Sequence, residues 1–215
     1  MTRTYYLIAM SLIVATLVAT LVAYPHLPAS VATHWGMDDQ PNGYSPKWAL
    51  FLMGPGFMAA MLLLMRSLPW LSPKHFEVAA FRSTYLQIML MLICMFAYIY
   101  AVILWANLGH GLNVGRAIVG AVCLLFALMG NVMGKIRRNF YIGVRTPWAL
   151  ANERVWNATH RLAAKTFVAG GIAGLVLTSM GIDGWPTITV LLAGALVPAV
   201  YSLVSYKKLE RGGEL

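Results

Sequence analysis

Long apolar runs separated by short polar ones set the pattern of this chain. A helix needs about 20 predominantly apolar residues to cross the hydrocarbon of a membrane. Six windows meet or approach that length: Tyr5 to Ala23, Trp48 to Met65, Ser83 to Trp105, Val114 to Met133, Thr166 to Met180 and Pro186 to Tyr206. The pattern predicts an all-α, polytopic membrane protein with six transmembrane helices. The connections Ala106 to Asn113 and Gly181 to Trp185 are short, which makes the helices they join antiparallel neighbours. Two connections are long, Tyr24 to Lys47 and Gly134 to Lys165, and long connections are where function collects. A third, Arg66 to Arg82, carries Pro69, Trp70 and Pro73 and reads as an interfacial connector. Residues 1–65 form one region, two spans with the loop 24–47 between them, and residues 66–215 a second, four-span region containing the segment 134–165.

Composition supports this reading. The chain is 60% hydrophobic and only 11% charged, with a mean hydropathy of +0.69, outside the range of ordinary soluble domains. The first apolar run follows Arg3, as a secretory signal would, but it exceeds the 7 to 15 apolar residues of a signal core and is expected to be a retained helix. The net charge of +9 is a topology signal rather than a nucleic-acid footprint. With the amino terminus inside, the inner segments hold Arg3, Arg66, Lys74, Arg82, Lys135, Arg137, Arg138, Arg145, Arg154, Arg161, Lys165, Lys207, Lys208 and Arg211, and the outer ones only Lys47 and Arg116. Basic residues near span ends stay on the cytoplasmic side, so both termini are expected in the cytoplasm and direct nucleic-acid binding is not expected. The acids do not divide this way: Asp38, Asp39 and Asp183 fall outside, Glu77, Glu153, Glu210 and Glu214 inside.

Within the spans, Gly54-Pro55-Gly56 and Pro198 interrupt the second and sixth helices, where proline removes a backbone hydrogen bond. Gly130 with Gly134, and Gly170 with Gly174, have the spacing that lets helices approach closely in lipid. Asn131 is the most polar residue inside a span and is expected to bond a neighbouring helix or its own cap. No Asp, Glu, Lys or Arg lies near the middle of a span, which argues against a proton-driven pump. Cys94 and Cys123 sit near mid-span without metal-ligand spacing and read as small apolar residues.

The densest polarity lies between Asn139 and Arg161. Thr146-Pro147 reads as a helix start, because threonine caps free amides and proline loses no bond at the first helical position. An amphipathic helix is expected from Pro147 to about Ala164. At about 100° per residue, Trp148, Asn152, Trp156 and Thr159 share one face within roughly 80° of arc, and Glu153, Arg154, Asn157 and Arg161 take the other. Before the helix, Lys135, Arg137, Arg138 and Arg145 surround Asn139, Tyr141 and Gly143. Such a cluster could bind lipid phosphate or an acidic partner, or could simply set topology. His160 reads as a helix-end hydrogen bonder; catalysis at Thr159-His160 would need an orienting acid, and only Glu153 is near.

The run Asn139, Gly143, Arg145-Thr146-Pro147-Trp148, Asn152-Glu153, Val155-Trp156 and Thr159-His160-Arg161 resembles the signature of the SdpI family, bacterial membrane proteins whose namesake gives immunity to a secreted peptide toxin. The outer segment, with Pro28, His34-Trp35, Pro41, Gly43-Tyr44 and Lys47-Trp48, is similar to the extracytoplasmic element that often precedes that signature. Asp39 stands where the resemblance leads one to expect glycine, and Asn42 where aspartate is more usual. The plausible metal ligands of this loop, His26, His34, Asp38 and Asp39, lack a paired spacing, as do the isolated His110 and Asp183, and no metal or other cofactor is expected. Trp35, Tyr44 and Trp48 read as an aromatic cluster on the outer membrane interface.

The resemblance implies a multi-pass protein of a bacterial cytoplasmic membrane that protects its host from a membrane-active peptide toxin. Besides membrane lipids it implies two partners, the toxin and a soluble repressor that the basic inner face would sequester. The signature residues are expected to carry the function inside, and His34, Trp35, Asp38, Gly43 and Lys47 to face the toxin outside. Two other functions are open to the same residues: a transporter or flippase for a small amphiphile, favoured by the interrupted spans and disfavoured by the missing intramembrane charge, and a lipid-headgroup enzyme using Arg145, Asn152 and His160. A further alternative is structural, in which Asn139, Trp148, Trp156 and Arg161 hold spans four and five together.

Overall fold

The computed structural model describes residues 2–36, 38–73, 78–182 and 184–214. Lys74, Glu77 and Asp183, counted above for charge or as a metal candidate, lie outside them. Among the described residues, six helices are long and apolar enough to cross a membrane. They are α1 (Thr2–Ala23), α2 (Ala49–Leu71), α3 (Arg82–Asn107), α4 (Val114–Met133), α6 (Glu153–Ser179) and α7 (Trp185–Arg211), with a short α5 (Pro147–Ala151) before α6. The protein is a mostly helical, polytopic membrane protein. Side chains such as Leu7, Val22, Leu63, Leu196 and Val200 stand exposed along these helices, a surface suited to acyl chains and not to water.

Three differences from expectation concern the elements themselves. The helix expected over Pro147 to Ala164 is divided at Asn152, whose extended backbone (φ −138°, ψ 131°) ends α5 while its side chain caps α6. From Glu153 onward no glycine or proline intervenes until Gly170, so α6 runs unbroken into the fifth span. The outer segment is not an irregular loop either. Ser30–Trp35 (β1) pairs antiparallel with Pro41–Pro46 (β2), prolines at both ends of β2 being tolerated because the ribbon has two edges. Finally, Gly54-Pro55-Gly56 does not simply kink α2: residues Leu52–Gly56 form one π turn, the local adjustment that absorbs the bond proline cannot make.

The chain divides into two compact units, Met1–Arg66 with Met89–Val122, and Ser67–Ile88 with Cys123–Leu215. In the first, Ala23, Leu27, Val31, Leu50, Tyr100 and Leu104 form a buried cluster joining the end of α1, β1, α2 and α3. Gly54 has no room for a Cβ because the Tyr100 ring lies against it. The Thr20 hydroxyl donates to Thr16 O (2.7 Å), so the Tyr100 hydroxyl, 2.5 Å away, donates to Thr20.

In the second unit, small residues bring α4 and α6 together. A Cβ on Gly130 would lie 2.6 Å from Val168 N, and one on Gly171 2.5 Å from Ala127 N and 2.6 Å from Cys123 O. Gly171 is therefore a contact glycine that the spacing of Gly170 and Gly174 did not single out, whereas Gly134 has open space around it. Phe126 and Phe167 stack across the same contact at 4.1 Å. Pro198 in α7 cannot donate to Gly194 O four residues back; that carbonyl accepts instead from Thr166 Oγ1 of α6, at 2.8 Å. Of the cysteines, Cys123 is buried and Cys94 is exposed on α3, so only Cys123 packs as expected. Asn131 is exposed and makes no side-chain hydrogen bond among the described residues.

Candidate functional site

The signature segment is built around Asn139. Its side chain is fully buried and uses all its main hydrogen-bonding directions. Nδ2 donates to Arg137 O (2.8 Å) and Ile142 O (3.0 Å), while Oδ1 accepts from Tyr141 N and Ile142 N (2.8 Å each). One amide thus closes residues 137–142 into a turn by bonding four of its backbone groups.

Gly143 follows in a left-handed conformation (φ +110°), and a Cβ there would collide with His160 Nε2. Both facts require glycine. The close approach lets Val144 N donate to His160 Nε2 at 3.1 Å, while Nδ1 sits 2.9 Å from Trp156 O, four residues back on α6. An acceptor at Nε2 and a carbonyl at Nδ1 define the neutral tautomer with its proton on Nδ1. His160 is only 1% exposed. With both nitrogens engaged in the fold, it has none free for acid–base work. Its ring stacks on Trp156 at 4.0 Å, and Trp156 Nε1 donates to Ile136 O at 2.8 Å. Trp156 and His160 therefore pin both ends of the loop, at Ile136 and Val144, to the first turns of α6.

Thr146 closes the arrangement. Its hydroxyl accepts from Ala149 N (3.2 Å), capping α5, and lies 2.6 Å from Ser202 Oγ of α7. Pro147 opens α5 as expected, and Arg138 Nη1 donates to Leu150 O near the end of that helix (3.2 Å). Asn152 Oδ1 accepts from Arg154 N (2.8 Å) and Val155 N (3.3 Å). Thr159 is buried on the same face as Trp156, and its hydroxyl has no partner among the described residues. Trp148 is half-buried. Arg145 and Arg161 point outward; Arg145 donates to Phe140 O, and Arg154 pairs with Glu214 at 2.8 Å. The structure thus brings Asn139, Gly143, Thr146, Trp156 and His160 into one bonded cap, and leaves the signature residues Arg145 and Arg161 exposed beside it. Ser202, which receives Thr146, was not distinguishable in the sequence from any other serine in an apolar run.

The second group of expected residues lies on the hairpin. Gly43 stands opposite His34, and a Cβ there would lie 2.9 Å from His34 Cβ. His34 Nδ1 lies 2.5 Å from Asn42 Oδ1, a contact aspartate at 42 could also make. Asp39 has a positive φ of 59°, which explains the expectation of glycine there. Aspartate tolerates this backbone better than most residues, and its Oδ1 accepts from Gly115 N at 2.7 Å, capping α4. Asp38 accepts from Gln40 N in the turn (3.2 Å). Lys47 Nζ reaches Tyr24 O (3.2 Å) and lies 4.5 Å over the Tyr24 ring. Trp35 is half-buried, while Tyr44 and Trp48 are exposed.

Asn107, at the end of α3, was missed by the sequence reading. Its side chain accepts from Ala32 N (2.7 Å) and donates to Ala32 O (2.9 Å), pairing with the edge of β1 as a neighbouring strand would. An amide closing an otherwise apolar span was the only available signal. Among the described residues, no three His, Cys, Asp or Glu side chains come together to hold a metal ion. The same unit has an apolar cleft of about 330 Å³, lined by residues that include Leu12, Thr16, Tyr100 and Leu104 and by no charged side chain.

These features define a multi-pass helical membrane protein with a self-bonded polar cap before its fifth span and a pinned hairpin after its first. Residues 135–202, which hold the cap, match the SdpI/YfhL protein family, and residues 11–59, which hold the hairpin, match a domain of unknown function, DUF1648. The chain is thus similar to this family over its cap and to that domain over its hairpin. It is 25% identical over 207 residues to a Bacillus subtilis (strain 168) protein named Immunity protein SdpI, the match covering 94% of this chain and 96% of that one. No solved structure matches.

Proposed function

We propose that this chain is an integral immunity protein of a bacterial cytoplasmic membrane, protecting its host from a secreted, membrane-active peptide toxin. The observation that carries the reading is the end-to-end similarity to Immunity protein SdpI, which spans both the hairpin and the cap. The distribution of basic residues supports an orientation with both termini in the cytoplasm. The hairpin then lies outside, where a secreted peptide arrives first. Its exposed Tyr44 and Trp48 have the amphipathic character of side chains that settle at a membrane surface. In the cap, by contrast, Asn139, Thr146, Trp156 and His160 bond within the fold, which supports a role in holding it together rather than in meeting the toxin.

The test is survival of a sensitive bacterium expressing the chain, challenged with a secreted, membrane-active peptide toxin. Wild type is compared with His34→Ala, Tyr44→Ala and Arg145→Ala at matched membrane levels. Protection by wild type, weakened by the hairpin variants, is the expected result. Protection should persist in de-energised cells, because binding needs no ion gradient. No protection at full membrane expression would sink the proposal.

A further inference from the structure

The second unit contains a cleft of about 560 Å³ that none of the functions above uses. This lies within the roughly 300–1,000 Å³ range of small-molecule sites. Two separate stretches of chain line it. Arg82, Ser83 and Thr84 come from the start of α3, and Gly134, Lys135 and Arg137 from the end of α4 and the start of the cap. Because α3 and α4 are membrane-length helices joined by a short turn, the start of one and the end of the other lie at the same membrane face.

The lining is positive. Arg82, Lys135 and Arg137 are exposed, and none has a carboxylate partner among the described residues, where the ion pairs are Arg154–Glu214 and Lys207–Glu210. The first turn of α3 carries no acidic residue to offset these charges. Thr84, only 7% exposed, lines the cleft together with Ser83 and places a second hydroxyl beside the cations. The opposite wall is fixed in place. Ile136 O holds the Trp156 indole and Arg137 O holds the Asn139 amide, so the cap that keeps these carbonyls in position also presents Lys135 and Arg137 to the cleft.

We propose that this cleft binds a phosphate group, with Arg82, Lys135 and Arg137 supplying the charge and Ser83 and Thr84 the hydroxyl donors. Its place at a membrane face and its volume, much larger than a bare phosphate needs, favour the headgroup of an anionic phospholipid. The inference does not depend on immunity and would stand if no toxin existed.

The test uses the full-length protein in neutral detergent, freed of lipid, with thermal stability read during titration. Three probes are compared: short-chain phosphatidylglycerol, short-chain phosphatidylcholine and inorganic phosphate. Saturable stabilisation by phosphatidylglycerol well above phosphatidylcholine, weakened by salt, is the expected result and assigns the lipid source. Stabilisation by inorganic phosphate equal to that by phosphatidylglycerol would assign free phosphate. Arg82→Gln and Arg137→Gln should each weaken the apparent affinity about tenfold, the loss of one charge-assisted contact, and Thr84→Val should weaken it less. Lys207→Gln, outside the cleft, should leave it unchanged. Equal responses to all three probes in wild type would overturn the proposal without recourse to any variant, as would unchanged phosphatidylglycerol affinity in both arginine variants.

Discussion

Replacing Asn139 with alanine removes four hydrogen bonds from a position with no exposure to solvent. Intramolecular hydrogen bonds contribute about 0.5–1.5 kcal/mol each, and the cost approaches the upper figure when the abandoned partners stay buried. Tyr141 and Ile142 are half-buried, so some of their groups can turn to water in the variant. A total loss of about 2–4 kcal/mol follows, a large share of the roughly 5–15 kcal/mol that holds a typical domain folded. At about 2–4 °C per kcal/mol for a chain of this size, Asn139→Ala should melt about 4–16 °C below wild type in the same detergent. Asn139→Asp should fare little better, because it keeps the two acceptor bonds but sets a carboxylate oxygen against the carbonyls of Arg137 and Ile142. The turn it opens carries Arg137 and Arg138, so limited trypsin digestion should cut there faster in the variant. An Asn139→Ala protein with wild-type melting and an unchanged tryptic pattern would refute the idea that this one amide folds the turn.

Gly143→Ala should be strongly destabilising, and His160→Ala in the same chain should restore part of the loss by clearing the collision while leaving the strained backbone; equal melting of Gly143→Ala and the double variant would show that the collision is absent. Asn107→Leu should free β1 from α3, making the hairpin sensitive to protease while the 134–165 segment keeps its resistance. Gly171→Leu should sharply lower the amount of protein recovered from membranes, measured by immunoblot, because its side chain must displace backbone of α4; Gly134→Leu, with open space around it, should not.

Much of the fold was legible because lipid imposes one rule on every span: each backbone group must be satisfied within the helix. That rule turns long apolar runs into helices with little ambiguity. The break at Asn152 was less visible, since the apolar face continues through it from Trp148 to Trp156 and only the amide's competition for backbone N–H groups marks the boundary. The hairpin was hidden for a different reason. Two short strands bounded by prolines give too brief an alternation to read, and what fixes them lies far along the chain at Asn107 and Gly115. Helical periodicity correctly separated buried Trp156 and Thr159 from exposed Glu153, Arg154 and Arg161. It could not show that His160, one position further round, is buried too, because that burial is created by a loop crossing over α6 at Gly143.

The bond between Thr166 and the carbonyl left free by Pro198 bears on how the last two helices can move. A proline in a membrane helix often serves as a swivel because its orphaned carbonyl can lengthen or lose its contact as the helix bends. Here bending α7 away from α6 would strip that carbonyl of its donor inside hydrocarbon, where an unsatisfied group costs several kcal/mol. The proline is thus a fastening point, and α6 and α7 should rotate or translate as a single body. Rocking motions of the kind a transporter needs would have to come from elsewhere in the molecule.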